Sequence, residues 1–167
     1  MTTISSHFNS VDPVPAIDFG QNDVSKLENL LIDSKNDLFS RYRAMFALRN
    51  MNTAESATAL AKGLKCGDSA LFRHEVAYVL GQMQNSVVIQ QLAQVLEDSN
   101  EDEMVRHECA EALGSIATPE ADQVLNKYIR DPQRVVRESV EVALDISDYN
   151  NSENFQFIDI SKENLKK

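Results

Sequence analysis

The feature that most restricts what this chain can fold into is that it repeats itself. Four eight-residue segments superimpose: Arg41-Tyr42-Arg43-Ala44-Met45-Phe46-Ala47-Leu48, Arg73-His74-Glu75-Val76-Ala77-Tyr78-Val79-Leu80, Arg106-His107-Glu108-Cys109-Ala110-Glu111-Ala112-Leu113 and Arg137-Glu138-Ser139-Val140-Glu141-Val142-Ala143-Leu144. Their closing leucines lie 32, 33 and 31 residues apart. Each segment is accompanied by a second apolar stripe: Val24, Leu27, Leu30 and Leu31; Ala57, Leu60, Ala61 and Leu64; Val88, Leu92, Val95 and Leu96; Ala121, Val124, Leu125 and Tyr128. Apolar residues three and four apart line one face of a helix, so each repeat predicts two helices.

A helical hairpin of this size cannot bury its apolar face alone, and stacking such hairpins gives a solenoid. The expected fold is all-α, a HEAT-like α-solenoid of about four helical hairpins, with repeats at about 23–51, 53–83, 86–116 and 118–147. Five glycines, four prolines and no tryptophan leave a helix-prone composition that agrees. Thr118-Pro119 and Asp131-Pro132 read as helix starts, each with a capping side chain before a proline at the first helical position. Residues 1–22, with Val11-Asp12-Pro13-Val14-Pro15, read as a linker or arm. Residues 148–167 read as a polar tail whose Phe155, Phe157, Ile158 and Ile160 could dock.

The formal net charge is -10, from 26 acidic and 16 basic residues. A surface that tracks phosphates is therefore not expected, nor is a nucleic-acid partner; the acidity by itself reads first as a solubilising surface, and a cationic ligand or partner suits it better than an anionic one. Two cysteines, Cys66 and Cys109, imply no disulfide framework and suit a reducing compartment. The opening Met1-Thr2-Thr3-Ile4-Ser5-Ser6 has no basic flank or apolar run, and no stretch is apolar enough to span a bilayer. These features predict a soluble, cytoplasmic protein without membrane contact.

Within the repeats, the arginine that opens all four segments reads as a structural residue bonding between neighbouring hairpins. Gly81 and Gly114, seven residues beyond each histidine, predict close packing in the middle of the array, where the outer repeats carry Arg49 and Asp145. The two positions after the arginine carry the chemistry. They hold Tyr42-Arg43 and Glu138-Ser139 in the outer repeats but His-Glu in both inner ones, using two of the chain's three histidines. The third, His7, lies in the arm and reads as solvated.

A single His-Glu pair on a helix is ordinarily a surface pair. Two in register are different, because packed helices stand roughly 8 to 10 Å apart and side chains at equivalent positions can converge on one ion. Two imidazoles and a carboxylate form the set that holds non-haem Fe(II), and zinc accepts similar ligands. Adjacent helical residues point about 100° apart, so all four side chains need not meet one ion. His74, His107 and Glu108 are the expected ligands, with Glu75 left for substrate or an outer role.

At these residues the sequence resembles the deoxyhypusine hydroxylases, a family of HEAT-repeat di-iron monooxygenases. Arg41 to Met51, Ala70 to Gln82, Met104 to Gly114 and Arg134 to Leu144 resemble that family's C-terminal half, and the likeness runs from about Ser10 to Phe157. Members carry four His-Glu pairs in two lobes that face each other across two irons, whereas this chain has two pairs. The resemblance implies that His74, Glu75, His107 and Glu108 are metal and site residues supplying one Fe(II) of the two. It implies that residues 1–22 correspond to the segment joining the lobes, and that the second iron needs an N-terminal lobe or a second chain. It also implies a protein substrate, a translation factor whose deoxyhypusine side chain becomes hypusine with O2 and external electrons. Glu75 would then meet the ammonium of that cationic arm as a catalytic residue. The alternatives are a non-catalytic HEAT-repeat scaffold and, less favoured because it gives no reason for His-Glu to recur, a HEAT-like lyase or chromophore-handling protein.

Overall fold

A computed structural model of the chain describes residues 23–67 and 69–152. Eight α-helices follow one another among these residues, in four pairs: α1 (Val24–Ile32) with α2 (Leu38–Met51), α3 (Ala54–Ala61) with α4 (Ala70–Met83), α5 (Ile89–Glu97) with α6 (Glu103–Ile116), and α7 (Pro119–Asn126) with α8 (Arg134–Asn151). The second helices pack side by side in chain order, α2 on α4, α4 on α6 and α6 on α8, while α1, α3, α5 and α7 form the other layer. No strand occurs among the described residues. The expected all-α array of hairpins is what is found. Between the layers the predicted stripes close into one core, with Leu31, Leu60, Leu92, Leu96 and Leu125 from the first helices meeting Leu48, Leu80 and Leu113 from the second. Each such leucine contributes about 1.5–3 kcal/mol on burial, which an isolated hairpin could not collect.

Capping chemistry fixes where the second helices begin. The side chains of Asp37, Ser69 and Asp102 accept hydrogen bonds from the backbone N–H groups of Ser40, Phe72 and Met104, each worth about 1 kcal/mol. As a result Arg41, Arg73 and Arg106 are each the fourth residue of their helix and Tyr42, His74 and His107 the fifth; α8 starts without a side-chain cap yet places Arg137 and Glu138 the same way. The arginines are structural, as expected, and the expected bonding between neighbouring hairpins is seen for Arg73 and Arg106. Arg41 Nε donates to the Leu31 carbonyl (2.8 Å) and Arg106 Nε to that of Leu96 (2.9 Å), tying each second helix to the end of the first. Arg73 donates to Cys66 O (2.9 Å) and Arg137 to Asp131 O (2.7 Å). Arg73 and Arg106 also reach the following hairpin: Arg73 forks onto Glu101 at 2.8 and 2.7 Å, and Arg106 onto Asp131.

That last pairing corrects one expectation. Thr118 does cap α7, accepting from Ala121 N with Pro119 first in the helix. Asp131-Pro132 does not start α8, which begins at Arg134 after Gln133. The Asp131 carboxylate is buried on Arg106 and accepts from Gln133 N (2.9 Å), so it shapes a turn before the helix instead of capping it. At its other end α8 runs to Asn151, beyond the expected limit of the last repeat. There the Asn151 amide donates to Ala117 O and Ser147 O, both at 3.0 Å.

The two central glycines hold α4, α6 and α8 close. A Cβ on Gly81 would stand 3.0 Å from Ala112 Cα, and one on Gly114 would stand 2.6 Å from Ala143 Cα. The approach at Gly114 leaves no room for a side chain, and that at Gly81 is tight. The arm at residues 1–22, with His7, and the tail patch from Phe155 to Ile160 lie outside the described residues. Among those described, no helix is long and apolar enough to cross a membrane.

Candidate metal centre

His74 is the fifth residue of α4, and His107 and Glu108 are the fifth and sixth of α6. Equivalent places on helices packed against each other bring the two imidazole rings to 5.4 Å between centroids. Glu108 Oε2 lies between them, 3.2 Å from His74 Nε2 and 3.9 Å from His107 Nε2. One donor atom from each of the three residues falls within 4.8 Å of the others. Two nitrogens on one ion at about 2.0–2.1 Å stand roughly 3 to 3.5 Å apart, so modest side-chain rotation closes this cluster on a metal.

Hydrogen bonding supports that fit. His107 Nε2 and His74 Nδ1 are buried without a hydrogen-bond partner, a costly state for polar atoms. A cation would relieve the first of these, since His107 Nε2 is the atom that faces Glu108. On the opposite edge of that ring, Nδ1 lies 3.3 Å from Glu111 Oε1 and 3.3 Å from Ser139 Oγ.

The charges are poised accordingly. Burial pushes the Glu108 carboxyl up to about 7, helped by the like charges of Glu111 and Glu75. Burial and the neighbouring His107 hold His74 below the usual imidazole range. His107 is shifted the other way, chiefly by its hydrogen bond with Glu111. His74 is thus set toward the neutral ligand form, whereas Glu108 would gain most from a nearby positive charge. Cys109, next to Glu108, is fully buried and its thiol is pushed up by that burial, so it packs as a small apolar side chain.

Of the four residues singled out in the sequence, the fold thus gathers His74, His107 and Glu108. Glu75 is half-buried and stands outside the three-donor cluster. Its charge is felt by Glu108 and by Tyr42, whose phenol is raised first by burial and then by Glu75. Glu111 and Ser139 were not anticipated from the sequence. A signal for Glu111 was present, since it follows His107 by four residues and so shares its helix face. Ser139 shows only as a departure from the His-Glu pattern.

Two HEAT-type family models match the chain: one described as HEAT repeats over residues 68–145, and one described as PBS lyase HEAT-like repeat over residues 40–66. Among curated proteins, the chain is 55% identical to deoxyhypusine hydroxylase of Rattus norvegicus over 157 residues, covering 94% of this chain and 51% of the relative. It is 54% identical to that of Drosophila melanogaster over 155 residues, covering 93% and 51%. A solved structure of human deoxyhypusine hydroxylase in complex with glycerol superimposes with a TM-score of 0.80 at 54% identity, covering 87% of this chain and 49% of the other. The chain therefore spans about half the length of the relatives it matches.

Proposed function

We propose that this chain, which is similar to deoxyhypusine hydroxylases over 94% of its own length and 51% of the relative's, is one metal-holding lobe of a hypusine-forming monooxygenase. The observation that carries this reading is the convergence of His74, His107 and Glu108 from successive helices to within 4.8 Å. These three residues would hold one Fe(II), the 2-His-1-carboxylate set that leaves positions open for oxygen and substrate. Iron bound there would supply the oxygen activation that hydroxylating an unactivated C–H bond requires. The second iron of the complete site would be held by the matching lobe, on an N-terminal half or a second chain.

The protein's own groups do the rest. Glu75, beside the cluster and already adding negative potential to it, is assigned to the ammonium of the deoxyhypusine arm, which a carboxylate in a half-buried site holds more strongly than one in water. The array's net charge of -10 favours approach of the same cationic arm. The substrate is thus a translation factor bearing deoxyhypusine. A cytoplasmic setting suits it, since neither cysteine forms a disulfide and ferrous iron is kept reduced there. A non-catalytic scaffold would give no account of two imidazoles set around a buried carboxylate, with the His107 nitrogen that faces it left without a hydrogen-bond partner.

Metal analysis tests the reading. Freshly prepared chain should contain about one iron, and His74→Ala or His107→Ala should lose it. Protein that takes up no iron under anaerobic loading refutes the assignment. Hydroxylation of a deoxyhypusine peptide should require a second lobe or a dimer, and an active monomer in sedimentation would contradict the two-lobe arrangement.

A further inference from the structure

Beyond the three donors, the side chain most firmly built into the site is Glu111. It lies one helical turn past His107 on α6, and its Oε1 takes two contacts: His107 Nδ1 at 3.3 Å and the Ser139 hydroxyl of α8 at 3.1 Å. Ser139 is 7% exposed, so its hydroxyl has little water to turn to. We infer that Glu111, seated by Ser139, is a positioning residue for His107: it accepts the Nδ1–H and so leaves the lone pair on Nε2, facing Glu108. The purpose of this arrangement rests on the metal reading above, but its geometry does not.

Three observations converge on it. First, His107 Nε2 is buried without a hydrogen-bond partner, which agrees with a proton held on Nδ1 and a lone pair on Nε2 that no donor reaches. Second, the arrangement is specific to one histidine. The residue four beyond His74 is Tyr78, which is 45% exposed, and His74 Nδ1 finds no hydrogen bond. Third, it explains why the last repeat abandons the His-Glu pattern. Ser139 occupies the register position that Glu75 and Glu108 hold in the preceding repeats. A carboxylate there would stand against Glu111 and repel it, whereas a hydroxyl donates to it. Histidines that bind metals ordinarily pass their other N–H to such a carboxylate, and removing that partner costs about 10- to 100-fold in metal affinity.

The test uses the whole chain as wild type, Glu111→Ala, Glu111→Gln and Ser139→Ala. The Glu111 side chain is 38% exposed, so its replacement spares the core. In metal-free protein near pH 9, proton–nitrogen correlation spectra of the imidazoles should show His107 as the Nδ1–H tautomer. Glu111→Ala should shift it toward Nε2–H, while Glu111→Gln, whose amide oxygen still accepts, should retain Nδ1–H. In anaerobic Fe(II) titrations Glu111→Ala should bind about 10- to 100-fold more weakly, with Glu111→Gln and Ser139→Ala between it and wild type. The inference is overturned if Glu111→Ala keeps the wild-type tautomer, or if Gln restores nothing that Ala removes. Wild-type chain that binds no Fe(II) would refute the metal reading instead, and the tautomer measurement, which needs no metal, still decides the positioning.

Discussion

Glu108 is 7% exposed and its carboxyl is raised to about 7, so Glu108→Gln should strengthen the metal-free fold while destroying the metal site. The sign follows from proton linkage. A carboxyl with a higher pKa in the folded state binds protons more tightly there, so its contribution is favourable below the unfolded value of 4.5 and is lost as pH rises through about 7. Integrated over that interval, ionised Glu108 costs the fold about 3 kcal/mol at pH 8 and under about 1 kcal/mol at pH 5. Glutamine keeps the shape and the hydrogen-bonding capacity without the charge. For a chain of this length the gain at pH 8 corresponds to a rise in Tm of roughly 5–10 °C, shrinking to a degree or two near pH 5. Thermal and urea unfolding with a chelator present, at both pH values, measures it. An equal effect of the substitution at pH 5 and pH 8, or destabilisation at pH 8, would refute the argument that this carboxylate is buried against its own interest. The same variant should lose stoichiometric Fe(II) uptake.

Other consequences concern the scaffold. Gly114→Ala places a methyl against the Ala143 backbone and should cost at least about 1–3 kcal/mol in urea unfolding; Gly67→Ala, with nothing within 4 Å of its Cβ, should stay within about 0.5 kcal/mol of wild type. Asp131→Ala removes the carboxylate facing Arg106, which is 4% exposed, and should cost about 3–5 kcal/mol because a buried charge loses its partner. Replacing Arg106 and Asp131 together should cost less than the sum of the two single changes, as read from a double-mutant cycle.

The readable part of the fold was the part that recurs. A stripe with helical spacing, repeated four times, allows few structures besides stacked hairpins. The leucine markers and the glycine pair point to close packing in the middle of the array, where α4, α6 and α8 meet. Asp131 misled because the Asp-Pro signal is local, whereas its carboxylate is claimed by Arg106, 25 residues earlier. The site divides the same way. His74, His107 and Glu108 were legible because two repeats deviate together from the outer ones. Glu111 was not, because its counterparts Phe46 and Tyr78 are aromatic and no periodic signal marks it. Ser139 stands in a repeat without the His-Glu pair, and only its place on α8, packed against α6, gives it a partner.

The array also limits what it can supply. On the row that carries the histidines, Tyr42 is turned to Phe72, with rings 5.9 Å apart, and Glu138 pairs with Arg134 at 2.7 Å on the surface. Neither flanking position adds a donor to the three-residue cluster. The glycines are part of the same design: Gly81 and Gly114 lie two turns beyond His74 and His107 and so share their faces. The close approach of Gly81 to Ala112 therefore draws together the two helices whose rings must meet. Among the described residues, four hairpins thus draw two histidines and one carboxylate onto one point, and the outer repeats add no fourth donor to it. On the two-lobe reading proposed above, the ligands of a second ion come from a surface facing this one, while Glu75 stays beside the first cluster to meet the substrate arm.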